Sequence, residues 1–409
     1  MTDLNPQQFP WMREAGVLAL FDAFPKGTLR YVGGCVRNAL MGETVGDIDL
    51  AIALNPVEVM AFLKEANIRY VETGLAHGTI TAVIDGTPYE ITSLRRDVET
   101  DGRRAVVAFT QDWSEDAQRR DLTFNALYAD RSGQVFDPTG QGVNDLRDRR
   151  LRFVGDADDR VKEDYLRILR FFRFLAWYGG SAKLDAASLR ACRENRAGLK
   201  SLSVERVWSE IKKLLLAHNP SRALQIMLTN EILETVMREA SNVDGLETLI
   251  KLEAREGLKA DPLLRLMSMS VREPLQMALL CKRFKMSNNE SGRLRAWADD
   301  GTMLSPNVSD RDKRIAIYKA GKQVVLDRAR LRAAGEQDPI KSSRWMSFAD
   351  LAMGWQQPTF PVTGKDLKKV GVEPGPEMGK AMKALEALWV KSGFAVDKEK
   401  LLIALKLLG

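Results

Sequence analysis

The chain has 409 residues, with 61 Lys and Arg against 55 Asp and Glu, and 45% of its residues are hydrophobic. This length favours two or three domains, and the composition excludes a disordered tail protein, a collagen-like fibre and a coiled coil. No stretch approaches roughly 18 consecutive apolar residues, so we expect no membrane span. The net charge of +6 suits a polyanionic partner only weakly, because many enzymes without such a partner share it.

The cysteines and the N-terminal residues bear on the compartment. Cys35, Cys192 and Cys281 are odd in number and widely spaced, which favours reduced thiols over a disulfide framework. Two histidines exclude a His-rich metal site. Residues 1–12 carry neither the basic nor the apolar segment of a secretory leader, so we expect a cytoplasmic protein. Nothing in the sequence indicates an obligate protein partner.

Short strands alternate with helices over residues 28–94, which predicts an α/β unit with a mixed sheet. Asn55 is placed to cap a helix that begins at Pro56. The Asp85-Gly86 pair lies between two strand-like segments and predicts a tight hairpin, because both residues tolerate positive φ. The predicted strands are TLRYVGG, DIDLAIAL, GTITAVI and TPYEITSL, and the first two flank the helix CVRNALMG.

The rest of the chain predicts a loop and then helices. Residues 95–118 are densely charged around a DG turn, which predicts an exposed loop. Beyond about residue 155 the apolar residues follow a helical period, as in the segment after Ser203, so we expect helices from there onward. Polar and Pro/Gly-rich stretches divide this helical half, and no repeat stands out.

Two aspartates, Asp47 and Asp49, carry the most distinctive chemistry. They are two residues apart on a predicted strand, so their side chains would share a face. Two carboxylates there would repel each other unless a cation neutralised them, and hard oxygen ligands suit Mg²⁺. The alternative interpretation is a solvated strand edge, because the DxD triplet is common.

Two glycines upstream, Gly33 and Gly34, favour the metal interpretation. They lie where a strand runs into a helix, and the missing side chains would let backbone N–H groups approach phosphates at the helix N-terminus. Arg37, one turn into that helix, would add positive charge. A plain strand-to-helix turn explains one glycine more easily than two beside a DxD, so the pattern favours a triphosphate with two metal ions.

A third acid, Glu90, falls on the predicted hairpin beside the DxD strand. Three roles remain open for it: completing the metal site, positioning Arg95, or serving as an ordinary exposed strand residue.

Together these segments resemble the class II tRNA nucleotidyltransferases, or CCA-adding enzymes, and the related bacterial poly(A) polymerases. GGCVRN with DID is similar to the first motif of that family, and RRDLTFNAL is similar to the second. AHGTITAV and EITSLRRDVETDGR resemble its next strands and loop, DPTGQGVNDL its hinge motif, and EDYLRILRFFRF its nucleotide-selecting helix. PVTGKDLKKVGVEPGPEMG resembles a segment of the tail in many members. Two positions depart from the family pattern: Asn38 replaces the usual aspartate, and AIALNP follows the DxD.

The resemblance implies a transferase that works on the 3′ end of tRNA with CTP and ATP. Asp47 and Asp49 would hold two Mg²⁺ ions, one activating the RNA 3′-hydroxyl and the other holding the triphosphate, and pyrophosphate would leave. Asp121 would contact the ribose 2′-hydroxyl. Arg120 and Asn125 would help to hold the sugar and the phosphates.

Base selection is expected from Asp164 and Arg167, predicted as i,i+3 neighbours on one helix face. Aspartate accepts and arginine donates, which matches the edges of cytosine and adenine and not those of uracil and guanine. Arg170 is a further candidate on this helix. The alternative is a surface ion pair worth a few tenths of a kcal/mol.

The expected architecture is a multi-domain α+β protein with an α/β catalytic head followed by a helical neck, body and tail. The expected boundaries are residues 1–135 for the head, 136–205 for the neck, 206–345 for the body and 346–409 for the tRNA-binding tail. Three functions remain open: complete CCA addition, which we favour; a poly(A) polymerase or a partial CC- or A-adding enzyme; and a non-catalytic RNA-binding protein.

Overall fold

The computed structural model describes residues 3–100, 105–180 and 184–408. It contains two compact units, residues 1–238 and residues 239–409. The described strands all belong to the first unit. They are β1 Leu29–Val32, β2 Asp49–Ile52, β3 Arg69–Gly74, β4 Thr79–Ile84, β5 Thr87–Ser93, β6 Arg95–Thr100, β7 Ala105–Phe109, β8 Tyr128–Ala129 and β9 Val135–Phe136.

Helices make up most of the described chain beyond the strands. In the first unit they are α1 Ala15–Ala23, α2 Gly34–Met41, α3 Pro56–Glu65, α4 Trp113–Gln118, α5 Gly142–Arg147, α6 Ala157–Glu163, α7 Leu166–Phe174, α8 Ala186–Glu194, α9 Val204–Leu215, α10 Ser221–Thr229 and α11 Ile232–Met237. Four 3₁₀ turns (Pro10–Arg13, Leu75–His77, Thr123–Asn125 and Arg196–Ser201) and a π-helical turn, Leu175–Gly179, join them. In the second unit the helices are α12 Val243–Glu256, α13 Pro262–Met269, α14 Pro274–Arg283, α15 Asn288–Asp299, α16 Asp310–Ala320, α17 Lys322–Gly335, α18 Pro339–Gly354, α19 Gly364–Lys369, α20 Pro376–Lys391 and α21 Lys398–Leu408.

The main sheet has the strand order β3-β4-β5-β2-β1-β8-β9. Strand β2 pairs parallel with β5, and the other neighbours in this sheet pair antiparallel. The sheet is therefore mixed, as the sequence predicts. One apolar cluster packs the sheet against α4 and the chain leading into β8, with Ala51, Ala117 and Tyr128 fully buried. This packing places the ends of β1 and β2 next to the segment that precedes β8.

The predicted hairpin turn and the predicted cap of α3 are both confirmed. Asp85 and Gly86 have φ of 50° and 80° and join β4 to β5, as a two-residue hairpin requires. Helix α3 begins at Pro56, and Asn55 caps it through a reciprocal capping box with Glu58.

The prediction of a loop over residues 95–118 is wrong for most of that segment. Strands β6 and β7 form a separate two-stranded sheet, and α4 follows, capped by the Asp112 side chain. The dense charge around it hid the apolar run Ala105–Phe109, whose two valines favour a strand. The DG turn itself, at residues 101–102, lies outside the described residues.

The helical half confirms the periodicity prediction. Helix α9 buries Trp208, Ile211 and Leu214 along one face behind Ser203. In the second unit, one apolar cluster lies among α16 to α18 around Phe348, and another lies among α19 to α21 around Trp389. A mixed sheet in a catalytic-head arrangement followed by helices confirms the expected fold class. None of the helices within the described ranges is long and apolar enough to cross a membrane.

Candidate active site

The turn from β1 into α2 brings the two glycines of the first motif together with Asp49. Gly33 has φ of 66°, a left-handed conformation that favours glycine. A Cβ on Gly34 would lie 4.0 Å from the Asp49 Oδ2 atom. The absent side chains therefore leave the start of α2 open beside a carboxylate, which is the arrangement that a phosphate and its counter-ion need.

The carboxylates lie close together, but not on one strand. Strand β2 begins at Asp49, and Asp47 precedes it in an exposed segment without regular structure. The prediction that both aspartates share one strand face is therefore wrong, since the polar residues before Asp49 do not extend the pairing with β1. Glu90 lies directly opposite Asp49 in the parallel β2–β5 register, so its predicted position beside the DxD is confirmed.

The electrostatics of Asp49 fit a cation. Although the residue is solvent-accessible, partial removal of its carboxyl from water raises the pKa of Asp49 above its ordinary value. The negative charges of Glu90 and Asp47 raise the pKa of Asp49 further. A divalent cation bound by these hard oxygens would relieve this repulsion.

The carboxylates do not form a complete metal cage. Within residues 3–100, 105–180 and 184–408, no three His, Cys, Asp or Glu side chains are grouped closely enough to hold a metal ion. The residues thus fit an ion that is held by one or two carboxylates and completed by substrate phosphates, a common arrangement for Mg²⁺.

A chain of hydrogen bonds joins α2 to the second motif. The buried Arg37 donates through Nη1 to Asn125 Oδ1 at 2.5 Å, and Asn125 Nδ2 donates to Asp121 Oδ1 at 3.0 Å. Arg37 also donates to Asn38 Oδ1 at 2.9 Å and to the Tyr178 hydroxyl at 2.8 Å. All these partners of Arg37 are neutral, so no direct ion pair among the described residues cancels its positive charge.

Asp121 accepts three hydrogen bonds and forms one ion pair. Its Oδ1 atom accepts from the Leu122 N–H at 2.8 Å and from Asn125 at 3.0 Å, and its Oδ2 atom accepts from Arg170 Nε at 2.7 Å. Arg170 Nη2 lies 2.6 Å from the same Oδ2 atom as an ion-pair contact. Burial would raise the pKa of Asp121, but Arg170 and the hydrogen bonds lower it to about 2. The carboxylate is therefore ionised and ordered within the site.

The predicted base-selecting helix is interrupted. Helix α6 ends at Glu163, Asp164 has an extended backbone, and α7 begins at Leu166. Asp164 and Arg167 are therefore not neighbours on one helix face, and the prediction of that geometry is wrong. The Asp164 carboxylate accepts from the Leu166 N–H at 3.1 Å, which favours a break in the helix at this point.

Asp164 and Arg167 each form an ion pair with another residue and not with each other. Asp164 forms an ion pair of 2.6 Å with Arg206, and Arg167 forms one of 2.6 Å with Glu163. Arg167 also donates to the Arg119 carbonyl at 3.2 Å, which ties α7 to the second motif.

Asp116, a buried carboxylate that several side chains contact, was not predicted from the sequence. This residue is 1% exposed and accepts hydrogen bonds from Arg119 at 2.8 Å, Arg120 at 3.0 Å and the Tyr128 hydroxyl at 2.7 Å. Burial alone would raise the pKa of Asp116, but Arg120 and Arg119 hold it at about 2. Asp116 thus fixes the two arginines of the second motif, and only its i,i+3 and i,i+4 spacing to them could have signalled this role.

The π-helical turn supplies another residue that the sequence did not reveal. Tyr178 lies in this turn and stacks under the Arg37 guanidinium, 4.3 Å from its ring centroid. Such turns are frequent at functional sites, because the extra residue reorients a side chain. No sequence pattern marks it.

A cavity of about 500 Å³ lies between the first motif, the second motif and helix α7. Nine of the predicted site residues line it: Gly33, Gly34, Arg37, Asp49, Arg120, Asp121, Asn125, Arg167 and Arg170. Asp47, Glu90 and Asp164 are not part of its lining, whereas Arg119 and Arg173 are. Six arginines and two aspartates face this space, so the cavity suits a polyphosphate accompanied by a cation.

Comparison with known proteins agrees with this geometry. Residues 29–152 match the model of the poly A polymerase head domain, residues 183–243 match that of the probable RNA- and SrmB-binding site of polymerase A, and residues 263–405 match a model of tRNA nucleotidyltransferase domain 2. The fold and the cavity thus define a nucleotidyltransferase, an enzyme that transfers nucleotides.

Relatives that match nearly the whole chain identify the kind of nucleotidyltransferase more closely. The chain is 33% identical to the human mitochondrial CCA tRNA nucleotidyltransferase 1 over 98% of its own length and 92% of the relative, and 32% identical to the zebrafish (Danio rerio) protein over 98% and 93%. The crystal structure of the Bacillus stearothermophilus CCA-adding enzyme in complex with CTP superposes with a TM-score of 0.74 at 26% identity, covering 97% of each chain. The chain therefore belongs to the family of CCA-adding tRNA nucleotidyltransferases.

Proposed function

We propose that this protein adds C, C and A in turn to the 3′ end of tRNA, using CTP and ATP without a nucleic-acid template. The observation that carries the proposal is the single cavity in which the glycine turn, Asp49 and six arginines meet. The membership of the CCA-adding family supplies the substrate class. The relatives of known structure include enzymes bound to CTP and to ATP.

The proposed roles follow from position. The start of α2 and Arg37 bind the triphosphate, and Arg120, fixed by Asp116, adds a second positive charge. Asp121 and Asn125 position the ribose and, in turn, Arg37 and Arg170. Arg167 and Asp164 recognise the base edge, each needing to exchange its present ion-pair partner for the base.

We propose Mg²⁺ as the cofactor, held by Asp47 and Asp49 and with Glu90 as an additional ligand. When bound, Mg²⁺ supplies Lewis acidity that lowers the pKa of the RNA 3′-hydroxyl and neutralises charge on the triphosphate. The arginines stabilise the negative charge that develops as the 3′-oxygen attacks the α-phosphorus and pyrophosphate leaves. No protein general base is needed.

We assign the domain roles with the boundaries that were expected from the sequence. Residues 1–135 form the catalytic head, 136–205 the neck, 206–345 the body and 346–409 a tail that binds tRNA. Strands β1 to β8 and the carboxylates of the first motif fall in the first segment, and α7 falls in the second, which supports the separation of chemistry from base selection.

The test of catalysis compares the wild type with Asp49→Asn on a tRNA transcript that lacks CCA. We expect Mg²⁺-dependent incorporation of CTP by the wild type and a loss of about a hundred- to a thousandfold in the variant, since removing a principal electrostatic element commonly costs that much. Thermal stability should stay equal or rise, because like-charge repulsion with Glu90 is relieved. Near-wild-type activity of the variant would refute the metal assignment, and an inactive wild type that still binds tRNA would favour a non-catalytic RNA-binding protein.

A further inference from the structure

A second cavity lies within the helical second unit. It measures about 320 Å³ and is enclosed by the start of α12, the end of α13, α15 and α17. Gly245 allows these elements to approach, because a Cβ there would lie 2.3 Å from the Ser268 carbonyl oxygen. The size is at the lower end of the range for small-ligand sites, which begins at about 300 Å³.

The lining of this cavity is strongly basic. Arg272, Arg328 and Arg332 line it, and none of the lining residues is acidic. We call these three residues the arginine triad. The carboxylate of Asp300 pairs with Arg328, and the backbone carbonyl of Asp300 accepts from Arg272. One carboxylate thus accompanies three guanidinium groups, which leaves an excess of two positive charges.

Two guanidinium groups are held in fixed positions. Arg328 donates to the Thr302 carbonyl at 2.8 Å, and Arg272 Nε donates to the Trp297 carbonyl at 2.8 Å. Each guanidinium has five N–H donors, so these bonds orient the groups and leave donors for a ligand. Side chains that are preoriented in this way lose little entropy on binding.

The third guanidinium has no partner of this kind. Arg332 is exposed and makes no ion pair or side-chain hydrogen bond within the described residues. The triad is also mutually repulsive, since burial lowers the pKa of Arg328 and the charges of Arg272 and Arg332 lower it further. A bound anion would satisfy the free donors and relieve the repulsion.

We propose that the arginine triad binds a phosphate group. Arginine forks match the tetrahedral oxygens of phosphate through paired hydrogen bonds, and a cavity of this size accommodates one phosphate with part of its substituent. Two sources share this chemistry: a backbone phosphate of tRNA, which rests on the proposed function, and free phosphate, which does not.

The variant that tests the proposal is Arg332→Gln. Arg332 has no structural partner within the described residues, so the change removes charge without breaking a contact. Arg328 is less suitable because its ion pair with Asp300 is largely buried. The matched control is Arg295→Gln on α15, an exposed arginine that is not part of the cavity lining.

The first arm titrates the full-length protein with inorganic phosphate in Mg²⁺-free buffer by calorimetry. The catalytic cavity binds phosphate equally in all variants, so we expect wild type and Arg295→Gln to show one site more than Arg332→Gln. This arm does not depend on what the enzyme modifies, and it therefore separates a failure of the triad from a failure of the proposed function.

The second arm measures binding of tRNA lacking CCA at several KCl concentrations. If the triad holds a tRNA phosphate, Arg332→Gln should bind about three- to tenfold more weakly, and the slope of log affinity against log salt should be shallower by about one. A change in the tRNA arm, with or without a change in the phosphate arm, assigns the site to tRNA. A change in the phosphate arm alone assigns it to free phosphate, and no change in either arm overturns the proposal.

Discussion

Asp121 and Arg170 are joined by a hydrogen bond of 2.7 Å from Arg170 Nε and by an ion-pair contact of 2.6 Å from Arg170 Nη2, which link the second motif to helix α7. Asp121 is buried, whereas about a third of the Arg170 side chain is exposed. Together with the Leu122 N–H and Asn125, Arg170 supplies three hydrogen bonds to the roughly four lone-pair positions of the Asp121 carboxylate. About one position on Oδ2 therefore stays open to a ribose hydroxyl, and the partly exposed Arg170 is the donor beside it.

This relationship predicts different effects for the two residues on sugar selection. Arg170→Gln should lower the free energy of unfolding by about 1–3 kcal/mol, because it leaves a buried carboxylate with fewer partners. It should keep the preference for CTP over dCTP, whereas Asp121→Ala should lose it. The measurement is kcat/KM for both nucleotides. Arg147→Gln, at an exposed arginine outside the cavity lining, is the control. Equal loss of preference in the Arg170 and Asp121 variants would contradict the proposed roles.

Asp116 predicts a pH-dependent contribution to stability. Its pKa of about 2 in the folded protein lies below the ordinary value near 3.9. Its charge therefore stabilises the fold above about pH 4, and this contribution is lost as the pH falls toward 2. Asp116→Asn should lower the free energy of unfolding at pH 7 by about 2 kcal/mol and reduce the loss on acidification.

Denaturant unfolding at several values between pH 7 and pH 3 measures this effect. Asp148→Asn, a change at an exposed carboxylate, is the control and should follow the wild type. Parallel pH dependence in wild type and Asp116→Asn would show that Asp116 does not anchor Arg119 and Arg120 as proposed.

Asn38, a hydrogen-bond partner of Arg37, predicts an effect on triphosphate binding. Its Oδ1 atom accepts two hydrogen bonds from Arg37, and its Nδ2 atom donates to the Thr44 carbonyl at 3.0 Å. In Asn38→Asp the new carboxylate would form an ion pair with Arg37 and offset its positive charge. Arg37 would then attract the triphosphate less strongly, so KM for CTP should rise severalfold with little change in kcat. Stability should change by less than about 1 kcal/mol, because the gain at Arg37 offsets the loss at Thr44. An unchanged KM would mean that the charge of Arg37 does not act on the triphosphate.

A substitution of Asp164 should change base choice, and this effect can be separated from the loss of the ion pair between Asp164 and Arg206. Asp164→Ala should keep tRNA binding and lose about 1–3 kcal/mol of discrimination against UTP and GTP. Arg206→Ala removes the ion-pair partner of Asp164 and should keep discrimination. Single-nucleotide incorporation assays with each triphosphate measure both. Unchanged fidelity of Asp164→Ala, or an equal loss in both variants, would remove Asp164 from base recognition.

The sequence predicts those parts of the site that depend on local chemistry. Gly33 is required by a positive φ, and Asp85-Gly86 by a tight hairpin, so both could be recognised from residue type alone. The position of Glu90 beside Asp49 followed from the hairpin and the sheet.

The features that the sequence did not predict have two kinds of cause. Some depend on contacts between distant segments, and others depend on a local side-chain bond or on neighbouring charges that mask the regular structure. Tyr178 reaches Arg37 across 141 positions through a π-helical turn, which no periodicity reveals. Asp164 interrupts a helix without any proline or glycine, because its side chain bonds to the backbone two residues ahead. Strands β6 and β7 resembled a loop because the charged residues of β6 and of the DG turn outweighed the short apolar run of β7.

The central claim is tested most directly by extending a tRNA transcript that lacks CCA, with Mg²⁺ and CTP alone, ATP alone or both, and resolving products at single-nucleotide length. The account predicts two added residues with CTP, a third only when ATP is also present, and then a stop. A long ladder with ATP alone would instead identify a poly(A) polymerase, and a stop after two residues with both nucleotides would identify a partial enzyme; either result would contradict complete CCA addition.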